Sequence, residues 1–122
     1  IDHYHDTAVG PTAANIKWLS HSFYNAIIEH CHQHRDVQFY ADFFCLSPKH
    51  FSSVVKQQTG HTAGHWIQHY LVIQLKQALT YEPETSIQAI ADRFGFSEQA
   101  SFARYFKKHT GVTPTEYREG KA

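Results

Sequence analysis

The amino-acid sequence predicts an all-α protein in which a unit of two helices occurs twice, on either side of a long connecting helix. Hydrophobic residues recur three and four positions apart along most of the chain, which is the spacing of one helical face. Val and Ile do not alternate with polar residues over any long run, so strands are not indicated. Residues 37–60 and 87–111 repeat the same order of aromatic, lysine and Thr-Gly positions, which indicates an internal duplication.

The composition is that of a folded domain with no overall charge. Of 122 residues, 42% are hydrophobic and 15% are aromatic, which is enough for a core and excludes intrinsic disorder. Eleven Lys and Arg balance eleven Asp and Glu, so the chain is not a cationic arm that coats nucleic acid. Residues 37–80 carry 3 basic residues against 1 acidic, and residues 86–122 carry 6 against 4, an excess of two each. This distribution is compatible with a local DNA-binding face.

Residues 87–111 are typical of a helix, a tight turn and a second helix. Gly95 is expected to end the first helix, because glycine readily adopts the positive φ of such turns. Ser97 is expected to cap the second helix, with Glu98 in its first turn. The second helix should bury Phe102 and Phe106. The face that the first helix should bury consists of Ile87, Ile90, Ala91 and Phe94.

The first copy, residues 37–60, repeats this unit with a turn that differs by one residue. Asp42 matches Asp92 at an offset of 50, whereas Lys56 matches Lys107 at an offset of 51. The change of offset places the length difference in the turn between the two helices. The remaining predicted features of this copy are a helix start with Ser47 as N-cap and Pro48 at the first helical position, and a core face of Phe51, Val54 and Val55.

The predicted organisation places the two copies around a linker helix. A flexible leader, residues 1–13, precedes a helix that starts near Ala14 and runs toward His34. The linker helix is expected from about Ala63 to Leu79. Since the chain has no Met, even at position 1, we interpret it as a processed or excised fragment. The expected divisions are 14–62 for the first subdomain with its N-terminal helix, 63–80 for the linker helix and 81–122 for the second subdomain.

Export, a membrane span and catalysis are not indicated. The two cysteines, Cys31 and Cys45, are expected to be buried reduced thiols, because a disulfide framework would need more cysteines. No signal peptide and no apolar run of about 18 residues is present, so a cytoplasmic protein without a membrane span is predicted. No phosphate loop, carboxylate pair or nucleophile–base spacing indicates an enzyme, and no cofactor is predicted.

The histidine clusters give a metal site as a weaker hypothesis. His30 and His34 would lie four residues apart on one helix, a spacing that can hold a metal ion. A polar helix end is favoured, because a metal site normally needs three or four ligands with supporting hydrogen bonds. The same reasoning applies to the series His61, His65 and His69.

The polar faces of the two repeated units favour DNA. A helix, a glycine turn and a helix with polar outer residues form the layout of a helix-turn-helix. Gln99 is suited to adenine and Arg104 to guanine or phosphate, whereas lysines suit phosphate. Two such units joined by a helix are expected to enter successive major grooves. The predicted DNA-binding residues are Lys49, Ser52, Ser53, Lys56, Gln99, Ala100, Ser101, Arg104, Lys107 and Lys108.

Two motifs carry a resemblance to the AraC/XylS family of bacterial transcription regulators. They are YADxxCLSPKHFSxxVKxxTG, residues 40–60, and IAxxFGFSxxxxFxRxFKKxTGxTPxxYR, residues 90–118. The resemblance covers roughly residues 35–118, and its first copy is most similar to the version common in Bacteroidetes-type members. It implies seven helices, with two helix-turn-helix subdomains bridged by the long helix. It also implies promoter binding, contact with RNA polymerase and a sensor or dimerisation domain upstream.

The resemblance also assigns positions that read DNA. In the first copy these positions are Lys49, Ser52 and Ser53, and in the second they are Gln99, Ala100, Ser101 and Arg104. The chain departs from many members at Leu71, where Arg is common, and at Ala100, where a polar residue is common. Two alternatives stay open at this point: a degenerate helix-turn-helix module that binds protein, and a metal-responsive regulator that uses the cluster at residues 30–34.

Overall fold

The computed structural model describes the backbone of residues 13–120 and the side chains of residues 21–120. Within these residues the chain is helical and has no β-strand, which confirms the all-α fold and the seven helices. The predicted leader lies outside the described residues, except for the backbone of Ala13. The helices are α1 Ala13–His30, α2 Val37–Phe43, α3 Pro48–Thr59, α4 Ala63–Tyr81, α5 Ile87–Arg93, α6 Gln99–Thr110 and α7 Pro114–Arg118.

The chain folds as two compact units, and α4 contributes residues to both of them. Among the described residues, the first unit consists of 13–30 and 34–67, and the second of 31–33 and 68–120. None of the helices α1 to α7 is long and apolar enough to cross a membrane. Each unit has an aromatic core whose large side chains contribute about 1.5–3 kcal/mol each on full burial. Fully buried residues include Ile27, Tyr40, Phe51 and Val55 in the first unit and Leu71, Leu75, Ile90, Phe102 and Phe106 in the second.

The first helices of the two repeated units, α2 and α5, have the same local structure. The N-cap side chains of Asp36 and Ser86 accept hydrogen bonds from the third backbone amide that follows, at 3.0 Å in both helices. The side-chain amide of Gln38 donates to Asp42 at 2.6 Å, and that of Gln88 donates to Asp92 at 2.8 Å. The duplication therefore extends to individual hydrogen bonds, each 50 residues from its counterpart.

The turns that follow α2 and α5 both pass through a left-handed residue. Gly95 has φ 81°, as predicted, and the matching residue of the first copy is Cys45 with φ 60°. The prediction that Cys45 is buried is wrong, because this turn position faces solvent. Cys31 is buried, as predicted, and its thiol donates to Gln74 Oε1 at 3.3 Å. Residues other than Gly, Asn or Asp are strained in the left-handed conformation that Cys45 adopts.

The extra residue of the second copy lies directly before its second helix. In the first copy Ser47 is the N-cap of α3, as predicted, and its hydroxyl accepts from the backbone amide of His50 at 3.2 Å. In the second copy the N-cap of α6 is Glu98, so the prediction that Ser97 caps this helix is wrong. The inserted residue moves the serine one position away from the first exposed amides of the helix.

The C-terminal ends of α3 and α6 repeat with an offset of 51 residues. The hydroxyls of Thr59 and Thr110 each donate to the carbonyl four residues before, at 2.8 Å in both helices. Gly60 and Gly111 then adopt φ 91° and 88°, and their amides donate to lysine carbonyls at 2.8 Å. Both helices therefore end at a defined residue, which fixes their length.

Replacing Cys45 by glycine should stabilise the protein. A non-glycine residue in the left-handed region lowers the stability of the folded state by about 1–3 kcal/mol. Glycine removes this strain, but its greater freedom in the unfolded chain offsets about 0.4–1 kcal/mol of the gain. We expect Cys45→Gly to raise the free energy of unfolding by about 1 kcal/mol in denaturant titrations under reducing conditions. The matched control is Gly95→Ala, which should lower stability. An unchanged or lower stability of Cys45→Gly would show that the turn carries no strain.

Candidate nucleic-acid interface

The second helices of the two repeats, α3 and α6, present the candidate interface. Each has 12 residues and is therefore about 18 Å long. Each also buries a phenylalanine as its fourth residue, Phe51 in α3 and Phe102 in α6, with no exposed surface. Since successive helical residues turn by about 100°, one buried ring determines which residues face outward.

The outward face of α6 brings together most of the residues predicted for the second copy. Ser101 is half-buried, whereas the other predicted residues of this helix are exposed. At about 100° per residue, the exposed residues span roughly half the circumference, opposite Phe102 and Phe106. These exposed residues are Gln99, Ala100, Arg104, Lys107 and Lys108. The face combines one amide, one guanidinium and two ammonium groups.

The outward face of α3 has a similar arrangement of exposed residues, but fewer side chains suited to base contacts. Lys49, Ser53 and Lys56 are exposed, and Ser52 is half-buried. At the offset of 51 residues, Ser53 occupies the position of Arg104. Pro48, which occupies the position of Gln99, has neither an amide side chain nor a backbone N–H. At these two positions the first copy therefore has neither the amide nor the guanidinium that the second copy presents.

The cations of α6 are not neutralised by carboxylates within residues 21–120. One ion pair of this part of the chain joins Arg93 to Glu82, outside α6. Arg104 makes one long hydrogen bond, from its guanidinium to Ser101 Oγ at 3.5 Å. Burial, and then the nearby Lys108, lower the pKa of His109 below its usual value. At neutral pH the positive charge of this helix therefore comes from Arg104, Lys107 and Lys108.

A charged network in the second unit joins α5 to the end of α4. The Arg93 guanidinium donates to both carboxylate oxygens of Glu82, at 2.6 and 2.8 Å. Arg118, from α7, donates to the backbone carbonyls of Leu79 and Glu82 at 3.4 and 3.0 Å. This network is not visible in the sequence, because residues 11 or more apart along the chain are brought together only by the fold. It fixes α5, and with it the turn before α6.

The expectation that His30 and His34 lie on one helix is wrong. Helix α1 ends at His30, and His34 lies beyond it, with its backbone amide bonded to the His30 carbonyl at 2.9 Å. The two imidazole centres are 6.4 Å apart, and the His34 ring stacks on Phe39 at 3.8 Å. Within residues 21–120, no group of three or more His, Cys, Asp or Glu residues is arranged to hold a metal ion.

Comparison with known proteins identifies the family. The sequence profile described as "Helix-turn-helix domain" matches residues 40–120, which is most of the chain. The chain belongs to the AraC/XylS family. Members similar to this chain are transcription regulators. Membership of the Bacteroidetes-type branch stays a prediction.

Similar proteins include a curated regulator and two solved structures, and the two structures share the fold. The arabinose operon regulatory protein of Salmonella typhimurium is 34% identical over 87 residues, 71% of this chain and 31% of the relative. The C-terminal domain of AraT, a response regulator from Geobacillus stearothermophilus, has 29% identity and a TM-score of 0.73, covering 84% of both chains. The DNA-binding domain of AdpA, solved with a target DNA, has 24% identity and a TM-score of 0.71, covering 83% of this chain and 90% of that chain.

The Glu82–Arg93 pair should make the stability of this AraC/XylS domain depend on pH. The Arg93 hydrogen bond holds the pKa of Glu82 below its usual value, with a smaller opposing effect of desolvation. The carboxylate therefore contributes stability above its unfolded pKa of about 4.3, and that contribution is lost as the pH falls through the lower folded value. Thermal melts of Glu82→Gln should show a lower Tm than the native chain at pH 7, and the difference should shrink as the pH falls below about 4.3. A constant Tm difference from pH 7 to pH 3 would contradict the assignment.

Proposed function

We propose that this chain is the sequence-specific DNA-binding part of a transcription regulator, with α3 and α6 each lying in a major groove. The observation that carries the proposal is that α6 exposes Gln99 and Arg104 as well as Lys107 and Lys108. The amide and the guanidinium suit base edges, and the two ammonium groups suit phosphates. The membership of the AraC/XylS family supports the same function.

We propose that the two recognition helices bind one duplex in successive major grooves. Such grooves are about 34 Å apart along the same face of DNA. The duplication supports this arrangement, since α3 and α6 share their length, their buried phenylalanine and their terminal glycine. We retain the divisions 14–62, 63–80 and 81–122 as the functional parts: a first reader, a linker helix and a second reader. A footprint of about two helical turns would match this assignment.

The two recognition helices are proposed to do different work. Helix α6 reads bases through Gln99 and Arg104, and Ala100 contacts a thymine methyl group. Ser101 lies at the edge of this face. Helix α3 offers Lys49, Ser52, Ser53 and Lys56, of which the lysines hold phosphates. Since α3 lacks an amide or guanidinium at the matching positions, it contributes more to affinity than to the choice of sequence.

The activity of the intact regulator is a further proposal, because this chain spans about a third of the arabinose regulators that it matches. We propose that it acts in the cytoplasm, where bacterial promoter DNA lies, together with a sensor or dimerisation domain. Contact with RNA polymerase belongs to the same proposal. DNA binding with no dependence on salt would contradict the proposed function, because phosphate contacts release counterions.

Direct DNA binding is tested by selecting duplexes from a random pool and titrating the best one at several salt concentrations. We expect the logarithm of the affinity to fall linearly with the logarithm of salt concentration, by about 0.9 for each phosphate contacted. Lys107→Gln should reduce that slope by about one and weaken all sequences to the same extent. Failure of the native chain to enrich any sequence would refute the proposed function.

Removing Arg104 should reduce specificity. We expect Arg104→Ala to cost about 1–3 kcal/mol on the selected duplex, and much less on a scrambled one, if the guanidinium reads a base. Ser53→Ala is the matched control, because Ser53 occupies the same position of α3 and should cost less. Fluorescence anisotropy gives both affinities. Equal losses for Arg104→Ala on the two duplexes would reassign this side chain to a phosphate.

A further inference from the structure

The last residue of helix α3 is tied to the linker helix by a side-chain hydrogen bond. The indole Nε1–H of Trp66, in the first turn of α4, donates to the hydroxyl oxygen of Thr59 at 2.7 Å. The same hydroxyl donates to the carbonyl of Val55, one turn earlier in α3, at 2.8 Å. Both partners belong to the first compact unit. Since a hydrogen bond constrains both distance and angle, the end of α3 is held in a defined direction from outside the helix.

The neighbours of Trp66 restrict the direction of its indole ring. The imidazole rings of His61 and His65 both lie nearly perpendicular to the indole, with ring centres 5.5 and 5.2 Å away. The two imidazoles stack on each other at 4.1 Å. The backbone amide of His65 donates to the hydroxyl of Thr62 at 3.2 Å, which fixes this turn of α4. The Nε1–H group therefore has little freedom to turn away from Thr59.

The second copy has no equivalent of this hydrogen bond within residues 21–120. At the offset of 51 residues, Trp66 corresponds to Tyr117, whose ring packs nearly perpendicular to that of Phe106 at 5.5 Å. The hydroxyl of Thr110 makes its hydrogen bonds with the backbone of Phe106 and Val112. The threonine at the helix end is thus common to both copies, whereas the bond to a neighbouring helix is specific to the first. Ending the helix therefore does not explain the tryptophan.

The bond at Thr59 fixes the tilt of α3, which apolar packing alone leaves loose. Burial of Phe51 near the start of α3 holds the helix on the core, but hydrophobic contacts are non-directional. Thr59 lies eight residues after Phe51, about 12 Å along the axis. A pivot of about 10° around Phe51 would move the last turn, which carries the exposed Lys56, by about 1–2 Å. Such a shift is enough to break a hydrogen bond to a phosphate, since these bonds vary in length by only about 0.5 Å.

We propose that Trp66 is a positioning residue for DNA binding, which sets the tilt of α3 and thereby places Lys56 against a phosphate. The inference rests on the proposed function, since it requires α3 to lie in a major groove. Trp66 acts through Thr59 and the backbone of α3, without touching the DNA. The backbone link is short, because the amide of Gly60, the residue after Thr59, donates to the carbonyl of Lys56 at 2.8 Å.

The test compares the native chain with Trp66→Phe, which keeps an aromatic ring and removes the donor. Two duplexes are used: the selected one, and a version shortened to the helical turn whose base preferences depend on Arg104. The native chain should bind the long duplex more tightly. Trp66→Phe should bind the long duplex about 2-fold to 12-fold more weakly than the native chain, the range of one net hydrogen bond, and the short duplex equally well.

The salt dependence tests whether the loss acts through Lys56. On the long duplex, Trp66→Phe and Lys56→Gln should each lower the slope of log affinity against log salt by about one. The double variant should lose no more than Lys56→Gln alone, because both changes remove the same contact. The matched control is Tyr117→Phe, which removes a polar group at the corresponding position and should bind both duplexes as the native chain does.

Two variants of Thr59 extend the comparison. Thr59→Ser keeps the acceptor oxygen and should bind like the native chain. Thr59→Ala leaves the tryptophan in place and removes its acceptor, so it should match Trp66→Phe. The alanine variant therefore decides the question even if melting curves show that Trp66→Phe does not fold.

Several results would overturn the inference and leave the proposed function intact. Equal losses on the two duplexes would show a general loss of structure, and no loss on the long duplex would show that α3 does not need the bond. Fully additive losses in the double variant would separate Trp66 from Lys56. Equal binding of the native chain to both duplexes would show that α3 makes no contact. A native chain that selects no duplex would refute the proposed function, and this inference with it.

Discussion

The outer surface of each recognition helix depends on one buried phenylalanine in its first turn. Phe51 packs edge-on against Phe23, with ring centres 4.9 Å apart, and stacks with Phe44 at 5.6 Å. Phe102 packs against Phe96 at 5.2 Å and Phe106 at 5.9 Å. Because a helix is rigid about its axis, seating these rings sets the direction of every other side chain on it. The polar residues face outward as a consequence of apolar packing, with no polar contact needed to aim them.

The helices and the core could be predicted from sequence because helical periodicity is a local signal. Phe51, Val54, Val55, Phe102 and Phe106 are all buried as expected. The errors fall in the turns, where one inserted residue decides the outcome. Ser97 has the right chemistry for a cap but lies one residue too early, and Cys45 has the chemistry of a buried residue but occupies a solvent-facing turn. Local propensity does not choose between registers that differ by one residue, whereas the packed phenylalanines on both sides do.

The candidate site could be predicted in position but not in its charge balance. The sequence places Gln99, Arg104 and Lys107 on one face of α6, and the structure agrees. The sequence does not show which cationic side chains are already paired with carboxylates. The Arg93 guanidinium is paired with Glu82 in the fold, whereas that of Arg104 makes only a long hydrogen bond to Ser101. That distinction requires contacts between residues far apart in sequence.

The zero net charge should reduce the part of the proposed DNA-binding free energy that is the same for every sequence. A strongly basic domain gains most of its affinity from counterion release, which is the same for every sequence. Here 11 basic residues are matched by 11 acidic ones, so the non-specific attraction depends on local clusters such as Arg104, Lys107 and Lys108 on α6. A smaller non-specific term leaves a larger share of the binding free energy to base contacts. The proposed base contacts of Gln99 and Arg104 would therefore carry a large part of the selectivity.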